Sequence, residues 1–390
     1  MKAAIIGAGV AGLTLATELA ERGADVTVFE CSATFGADAC SWCAGGMLAP
    51  HCEGESAPAE VLTLGGQALD WWASRVSGVK RNGTLVVAPA RDASEIDRFA
   101  ARTAAWERVD EAAIGALEPD LAGRFRKGLY FAGEGHLDPR VALGALRDRL
   151  ESLGAKVRLG AAAPPLPPFA GEVARSAGGG KSRRFHAHPP FSHPLAQEAG
   201  EGITFDCRGY SARDDLPTLR PVRGEMLVLR SPDIRLSRPI RFLHPRIPLY
   251  VVPRGDGHFM IGATMIESAD RGGVSVRSAL ELLGAAYALH PAFGEAEIVE
   301  MRADLRPAFP DNLPRIVQAN GKFHLNGFYR HGFLLTPAFA RRAAEMAMGA
   351  GVAEVGARPP PPHGAHLPAL FGGERPGEGL GAFALAGPAS

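Results

Sequence analysis

The sequence predicts an α/β fold in which a parallel βαβ unit opens the chain and a mixed or antiparallel sheet is built from its middle. Residues 1–6 form an apolar run of strand length, and residues 7–12 are a glycine turn. Residues 10–22 space their apolar side chains as a helix does, and residues 26–30 form a second strand-like run. A hairpin signal farther along the chain predicts the antiparallel part.

The glycine turn favours a dinucleotide-binding site. Gly7 permits a tight strand-to-helix turn, Gly9 lets a pyrophosphate approach the backbone, and Gly12 lets the helix pack closely on the sheet. Free amides at the helix start, where Val10 and Ala11 lie, attract phosphate oxygens.

Glu30 strengthens this interpretation because it ends the second strand, where a carboxylate can accept hydrogen bonds from a ribose diol. The alternative is an ordinary glycine-containing turn in another kind of α/β protein.

Composition excludes several classes of protein. The 390 residues are 46% hydrophobic, enough for two domains with substantial cores. Lys and Arg total 42, as do Asp and Glu, so we expect no nucleic-acid partner. No apolar run reaches the roughly 18 to 20 residues of a membrane span, and no leader-like segment opens the chain, so we expect a cytoplasmic protein without a membrane span.

The five cysteines predict reduced thiols, because their number is odd and four of them lie within residues 31–52. Cys40 and Cys43 have the spacing of a redox or zinc pair, but no second ligand pair is suitably spaced, so we expect no metal. Packing beside a cofactor is the preferred interpretation.

Further elements follow in order. Gly45, Gly46 and Met47 lie in a small-residue run, 44–50, that can approach a flat ligand. Trp71 and Trp72 are expected in the core. We expect a strand over 83–89, a helix over 94–109 capped by Ser94, a helix from Pro139 to about Leu153 capped by Asp138, strands over 225–230, 249–253, 258–263 and 322–327, and a helix over 333–348.

Two segments, 161–200 and 355–390, are rich in proline and glycine and have no periodicity. We expect them to be disordered insertions or out-of-frame sequence. A metal site at His186, His188 and His193 is disfavoured by the neighbouring prolines.

Several motifs together resemble the flavin-dependent D-amino acid oxidase superfamily and, within it, the glycine oxidases of thiamine biosynthesis. The resemblance covers about residues 1–168 and 206–349. Its most specific pieces are residues 44–50, 250–254, 261–264, 305–307 and 330–335.

The resemblance implies FAD in a Rossmann-like domain of the glutathione-reductase type, with an α+β substrate domain on a mixed or antiparallel sheet. The FAD-binding domain would comprise residues 1–85, 138–220 and 315–350, and the substrate domain residues 86–137 and 221–314. The helix start at Gly332, Phe333, Leu334 and Leu335 would contact the cofactor.

The resemblance also assigns substrate residues. Arg306 is similar to the arginine that binds the substrate carboxylate, Tyr250 to a tyrosine that hydrogen-bonds it, and Arg330 to a second arginine of the pocket. A surface arginine and a core tyrosine are the alternatives for the first two. A guanidinium suits the role because it forms a planar bidentate pair with a carboxylate.

The implied reaction is hydride transfer from a small amino acid to the flavin, followed by reoxidation by dioxygen. For glycine the products would be glyoxylate, ammonia and hydrogen peroxide. A sarcosine oxidase, a D-amino acid dehydrogenase and a catalytically impaired flavoprotein subunit remain alternatives. We also expect a homo-oligomer. The sequence departs from the family at residues 161–200 and at Arg208 and Tyr210, which look bulky for a strand end near the cofactor.

Overall fold

The computed structural model describes residues 1–161, 202–245 and 247–349. The predictions for His186, His188 and His193, and nearly all of those for residues 161–200 and 355–390, lie outside the described residues.

The described residues contain nine α-helices. They are α1 (Val10–Glu21), α2 (Pro50–Glu53), α3 (Ala59–Gly65), α4 (Ala68–Ala73), α5 (Ser94–Arg102), α6 (Glu111–Leu117), α7 (Pro139–Ser152), α8 (Val276–Leu289) and α9 (Gly332–Ala347).

The same residues contain seventeen strands in three sheets. They are β1 (Lys2–Ile6), β2 (Asp25–Glu30), β3 (Met47–Leu48), β4 (Thr84–Val87), β5 (Glu107–Asp110), β6 (Lys127–Phe131), β7 (Gly135–His136), β8 (Lys156–Leu159), β9 (Ile203–Asp206), β10 (Arg220–Arg230), β11 (Ile240–Phe242), β12 (Leu249–Gly255), β13 (His258–Gly262), β14 (Ile266–Glu267), β15 (Glu297–Ala308), β16 (Arg315–Ala319) and β17 (Lys322–Asn326).

The first sheet has six strands in the order β16-β17-β9-β1-β2-β8. The pairs among β17, β9, β1, β2 and β8 are parallel, and β16 runs antiparallel to β17. The predicted βαβ unit is confirmed, with α1 buried along most of its length. The strands of this sheet come from the three segments predicted for the nucleotide domain, although the domain boundaries themselves remain a prediction.

The second sheet has nine strands, eight of them in the order β14-β10-β13-β12-β11-β4-β6-β5, with β15 pairing with β10. The predicted hairpin is confirmed, because β12 and β13 pair antiparallel around the turn at residues 255–257. The β10–β15 pair is the longest, running from Arg220 opposite Ala308 to Arg230 opposite Glu297. The sequence did not predict β15 or α8. A short pair, β3 with β7, forms the third sheet.

The helix predicted over 94–109 is wrong in its cap and in its length. Ala93, with helical φ and ψ, occupies the N-cap position, so Ser94 lies inside the helix and caps nothing. The helix ends at Arg102, Ala105 adopts a positive φ of 61°, and residues 107–110 form β5 instead. A left-handed residue cannot continue an α-helix.

Other expectations are confirmed. Asp138 caps α7 by accepting hydrogen bonds from the amides of Arg140 (2.7 Å) and Val141 (3.3 Å). Trp71 and Trp72 are buried in the core of the first sheet. Among the described residues, no helix is long and apolar enough to span a membrane.

Candidate active site

A cavity of about 860 Å³ runs from the glycine turn at the end of β1 to the β10–β15 strand pair. It is lined by all three predicted substrate residues, Arg306, Tyr250 and Arg330. It is also lined by eleven of the thirteen predicted cofactor residues, namely Gly7, Gly9, Val10, Ala11, Glu30, Gly45, Gly46, Met47, Gly332, Phe333 and Leu334.

The two predicted cofactor residues that do not line the cavity are Gly12 and Leu335. Gly12 lies behind the turn, where a Cβ would collide with the carbonyl oxygen of Gly7, so it allows the close packing that was predicted for it. Gly7 itself has a φ of +100°, which confirms the tight turn. Leu335 is fully buried in the core and its amide donates to the His331 carbonyl oxygen (2.8 Å), so its predicted contact with the cofactor is not supported.

Glu30 lines the cavity, and its carboxylate also holds the loop that follows β2. Its Oε2 accepts from the amide of Ala8 (2.8 Å), and its Oε1 accepts from the amide of Ser32 (3.1 Å). The Cys31 thiol also donates to Oε1 (3.3 Å), so of the roughly four acceptor positions of a carboxylate about one remains for a ribose hydroxyl.

Two helix N-termini face the same cavity. The Val10 amide donates to Ser41 Oγ (3.2 Å), and the first-turn amides that follow have no intrahelical acceptor. The start of α9 is held by Trp72, whose Nε1 donates to the Phe333 carbonyl oxygen (2.8 Å). The positive ends of both helices favour negative charge in the cavity.

These features fit a dinucleotide. One helix start offers amides for the diphosphate, Glu30 offers an acceptor for a ribose, and the run 44–47 forms an elongated wall. The second helix start, in α9, suits the electron-rich edge of a bound ring system.

Arg306 lies on β15 with its side chain half-buried, and removal from water lowers the pKa of its guanidinium. Its Nη1 donates to the Thr264 carbonyl oxygen (2.8 Å), and no described carboxylate lies within 4.0 Å of it. Its place in the cavity wall favours the predicted substrate role over the alternative of a surface arginine, and that role stays a prediction. A half-buried guanidinium at a cavity wall with no carboxylate in direct contact is available to an anionic ligand.

Tyr250 and Arg330 converge on Glu53, which the sequence analysis did not identify. The Tyr250 hydroxyl donates to Glu53 Oε1 (2.9 Å), and Arg330 Nη2 pairs with Glu53 Oε2 at 2.6 Å. Since the tyrosine has one proton, donation to a substrate carboxylate requires release of Glu53. The predicted hydrogen bond between Tyr250 and the substrate carboxylate therefore stays a prediction.

Burial and ion pairing together determine the charges of Glu53 and His331. Burial would raise the pKa of Glu53, but the Arg330 charge, followed by those of other neighbours including Arg241, outweighs it and lowers that pKa. Burial lowers the pKa of His331 to about 4, so its imidazole is neutral at pH 7. Arg241, Arg306 and Arg330 therefore share this part of the cavity with the ionised Glu53, and Asp304, two residues from Arg306 on β15, also lines it.

Residues at the end of β9 form a separate polar cluster. Asp206, Asp215 and His324 lie close enough to hold a metal ion, but Arg208 and Lys322 already pair with both carboxylates. Arg208 turns its guanidinium onto Asp206, at 2.5 Å from Nη2 to Oδ2, which accommodates its bulk beside the cavity.

The five cysteines lie among the described residues and all are free, and their reduced state stays a prediction. Burial raises the pKa of Cys40 to about 12 and that of Cys43 to about 11, so neither is a thiolate at neutral pH. This matches the preferred interpretation of packing beside the cavity.

A dinucleotide cleft that continues into an arginine-lined pocket defines a dinucleotide-dependent oxidoreductase. The chain belongs to the FAD dependent oxidoreductase family, which it matches over residues 2–346, and FAD is its cofactor. It is 50% identical over 345 residues to the putative thiamine biosynthesis oxidoreductase ThiO of Rhizobium etli, covering 88% of this chain and 95% of the relative.

Two crystal structures show the same fold. The glycine oxidase of Geobacillus kaustophilus has a TM-score of 0.69 at 22% identity, covering 90% of this chain and 95% of that one. The iminodiacetate oxidase of Chelativorans sp. BNC1 has a TM-score of 0.68 at 20% identity, covering 91% and 97%. The predicted fold class and family resemblance are thereby confirmed.

Proposed function

We propose that this protein catalyses the FAD-dependent oxidative deamination of glycine or a similarly small amine. For glycine, one molecule each of amino acid, dioxygen and water gives glyoxylate, ammonia and hydrogen peroxide. The imine or its product would serve thiazole formation in thiamine biosynthesis. Support comes from the 50% identity to a relative named for thiamine biosynthesis and from the cavity-lining guanidinium of Arg306, which donates to the Thr264 carbonyl oxygen but contacts no described carboxylate.

Arg306 is the observation that carries this proposal. Bound FAD supplies an acceptor for the hydride that leaves the substrate Cα. Arg306 would bind the carboxylate through two parallel hydrogen bonds and so fix which face of the Cα points toward the cofactor. Met226, Met260 and Tyr250 bring apolar surface to the same cavity beside the arginines.

His331, the nearest imidazole to this group, has no proton-transfer role in this proposal. Its pKa of about 4 keeps it neutral, and its neighbour Glu53 is already held by Arg330 and Tyr250. A substrate bound as the neutral amine needs no protein base before hydride transfer. The residues of the chain then act by binding and orientation.

An anaerobic titration tests the proposal. The purified protein with its bound FAD is mixed with glycine, sarcosine or D-alanine, and loss of the flavin absorbance band is followed before air is admitted. We expect bleaching with glycine and peroxide release in air. Bleaching without peroxide would favour a dehydrogenase, and no bleaching with any small amine would refute the proposal.

Arg306→Met is the matched variant, and Arg230→Met, at an exposed arginine of the same sheet, is its control. We expect kcat/KM for glycine to fall by about 10- to 100-fold in Arg306→Met, the factor for a lost hydrogen bond to a charged group. An unchanged KM would remove Arg306 from the site.

Compartment and assembly are further parts of the proposal. We place the protein in the cytoplasm, with the free thiols of its five cysteines as support. A homo-oligomer stays a prediction, and light scattering of the purified protein measures it directly.

A further inference from the structure

Arg241 is a buried arginine that has no ion-pair partner among the described residues. It lies on β11 and is 8% exposed, and it lines the same cavity as Arg306. Its Nε has no hydrogen-bond partner among the described residues. Its guanidinium carbon instead lies 4.4 Å from the centre of the Tyr250 ring.

The strand pairing fixes the direction of this side chain. Arg241 is directly opposite Tyr250 on β12 and Val86 on β4, so the three side chains share one face of the sheet. Its neighbours Ile240 and Phe242 point to the other face, into a separate hydrophobic core. Arg241 is therefore held toward the cavity by the register of the sheet.

No carboxylate of the described chain neutralises Arg241 by direct pairing. Glu53, the ionised group of the pocket, pairs with Arg330. On its other side Arg241 borders a smaller cavity of about 260 Å³, whose acidic residues are paired elsewhere. These pairs are Glu55 with Arg102, Glu95 with Arg98 and Asp92 with Arg91.

A buried charge without a partner is costly unless a ligand supplies the counter-charge. One substrate carboxylate on Arg306 leaves the positive charge of Arg241 without an ion-pair partner among the described residues, because Glu53 pairs with Arg330 and Asp304, which also lines the cavity, pairs with Arg271 at 3.9 Å. A second anionic group on the substrate would balance the charge of Arg241.

We propose that Arg241 binds a second carboxylate, and that the preferred substrates of this protein include amines with two carboxylates, such as N-carboxymethyl glycine or a short acidic amino acid. This inference rests on the proposed amine oxidation for its chemistry. The Cα–H bond beside the Arg306-bound carboxylate would still be the one oxidised, with FAD as acceptor and dioxygen as final oxidant.

Matched substrate pairs isolate the second carboxylate. Iminodiacetate differs from sarcosine, and D-aspartate from D-alanine, by one carboxylate on the methyl carbon. With the holoenzyme we expect kcat/KM to be higher for the dicarboxylic member of at least one pair. In Arg241→Met that preference ratio should fall by about 10- to 100-fold. Arg241→Lys, which keeps the charge, should recover part of it, and Arg230→Met should leave the ratio unchanged.

Several outcomes would overturn the inference. A wild-type protein that does not prefer either dicarboxylic amine refutes it, even if glycine is oxidised as proposed. A parallel fall for both members of each pair in Arg241→Met would show that Arg241 acts only by packing on Tyr250.

A binding measurement keeps the inference testable if no amine is oxidised and the proposed function itself fails. Malonate and acetate are inert anions that differ by one carboxylate, and their binding is measured by the shift in Tm of the holoprotein. We expect malonate to stabilise the wild type more than acetate does, and this difference to be lost in Arg241→Met. Equal shifts in the wild type would refute the second anion site.

Discussion

The position of Arg306 depends on the absence of a side chain at residue 224, which the variant Gly224→Ala tests. The guanidinium lies directly over Gly224, and an added Cβ would lie 2.5 Å from its Nη1 and closer still to its Cζ and Nη2. Ordinary contact begins at 3.4 Å, so the guanidinium has to retreat by at least about 0.9 Å. Misplacement of a binding group by about 1 Å can cost roughly 100-fold in rate. We therefore expect kcat/KM for the amine substrate to fall by about 10- to 100-fold.

Steady-state peroxide release measures this effect, and Gly144→Ala is the matched control. Gly144 lies on α7 with nothing within 4 Å of an added Cβ, so the same chemical change there should leave the kinetics unchanged. Protein folding is checked by Tm for both variants. Wild-type kinetics in a well-folded Gly224→Ala protein would show that Arg306 does not bind the substrate from the position seen here.

Two further predictions concern buried carboxyl groups. Burial raises the pKa of Glu134 to about 8 from its ordinary 4.5, so the unfolded chain binds fewer protons between those values and the free energy of unfolding falls as pH rises, by at most about 1.4 kcal/mol per unit. Glu134→Gln should flatten this slope in urea titrations at pH 5, 6.5 and 8, and an unchanged slope would contradict the assignment. Glu53→Gln should lower the free energy of unfolding by about 3 to 5 kcal/mol, because Arg330 loses its buried partner. Acetate should restore part of that loss, and a variant as stable as the wild type would contradict the pairing.

The features predicted best from the sequence are those that depend on contacts between residues close together in the chain. The glycine turn, the capped start of α7 and the hairpin around residues 255–257 each depend on contacts between near neighbours. Glycine, proline and aspartate restrict the backbone directly, so their positions predict turns and caps. The predicted length of α5 was wrong because Ala105 adopts a positive φ, which cannot be predicted from the presence of an alanine.

The long strand β15 was not predicted, although charged and apolar residues alternate over residues 300–307. Ile298 and Val299 are consecutive and both about half exposed, and charged residues follow at alternate positions. The strand is held by its pairing with β10, which is distant in sequence. Such pairing overrides weak local preference, as is usual for strands.

The substrate pocket was harder to predict than the cofactor cleft because its residues also come from distant parts of the chain. Arg306 was found by its resemblance to a family motif, whereas Glu53, Arg241 and Gly224 belong to no motif. Glu53 ends the short helix α2, and its partners Tyr250 and Arg330 are about 200 and 280 positions away along the chain. An acidic residue beside a small-residue run was the only local signal.

The residues of the substrate pocket are positioned by strand pairing and not by a local motif, and this affects substrate selectivity. Gly224 on β10, Arg241 on β11, Tyr250 on β12 and Arg306 on β15 belong to one sheet, and their relative positions are fixed by strand register. A slip of one residue would turn each side chain to the opposite face, so these positions are as rigid as the sheet itself. Residues such as Arg241 can then change the charge of the pocket without moving Arg306. The cofactor cleft and the choice of substrate are therefore separable in this fold, and relatives with the same glycine turn can differ in the amines that they accept.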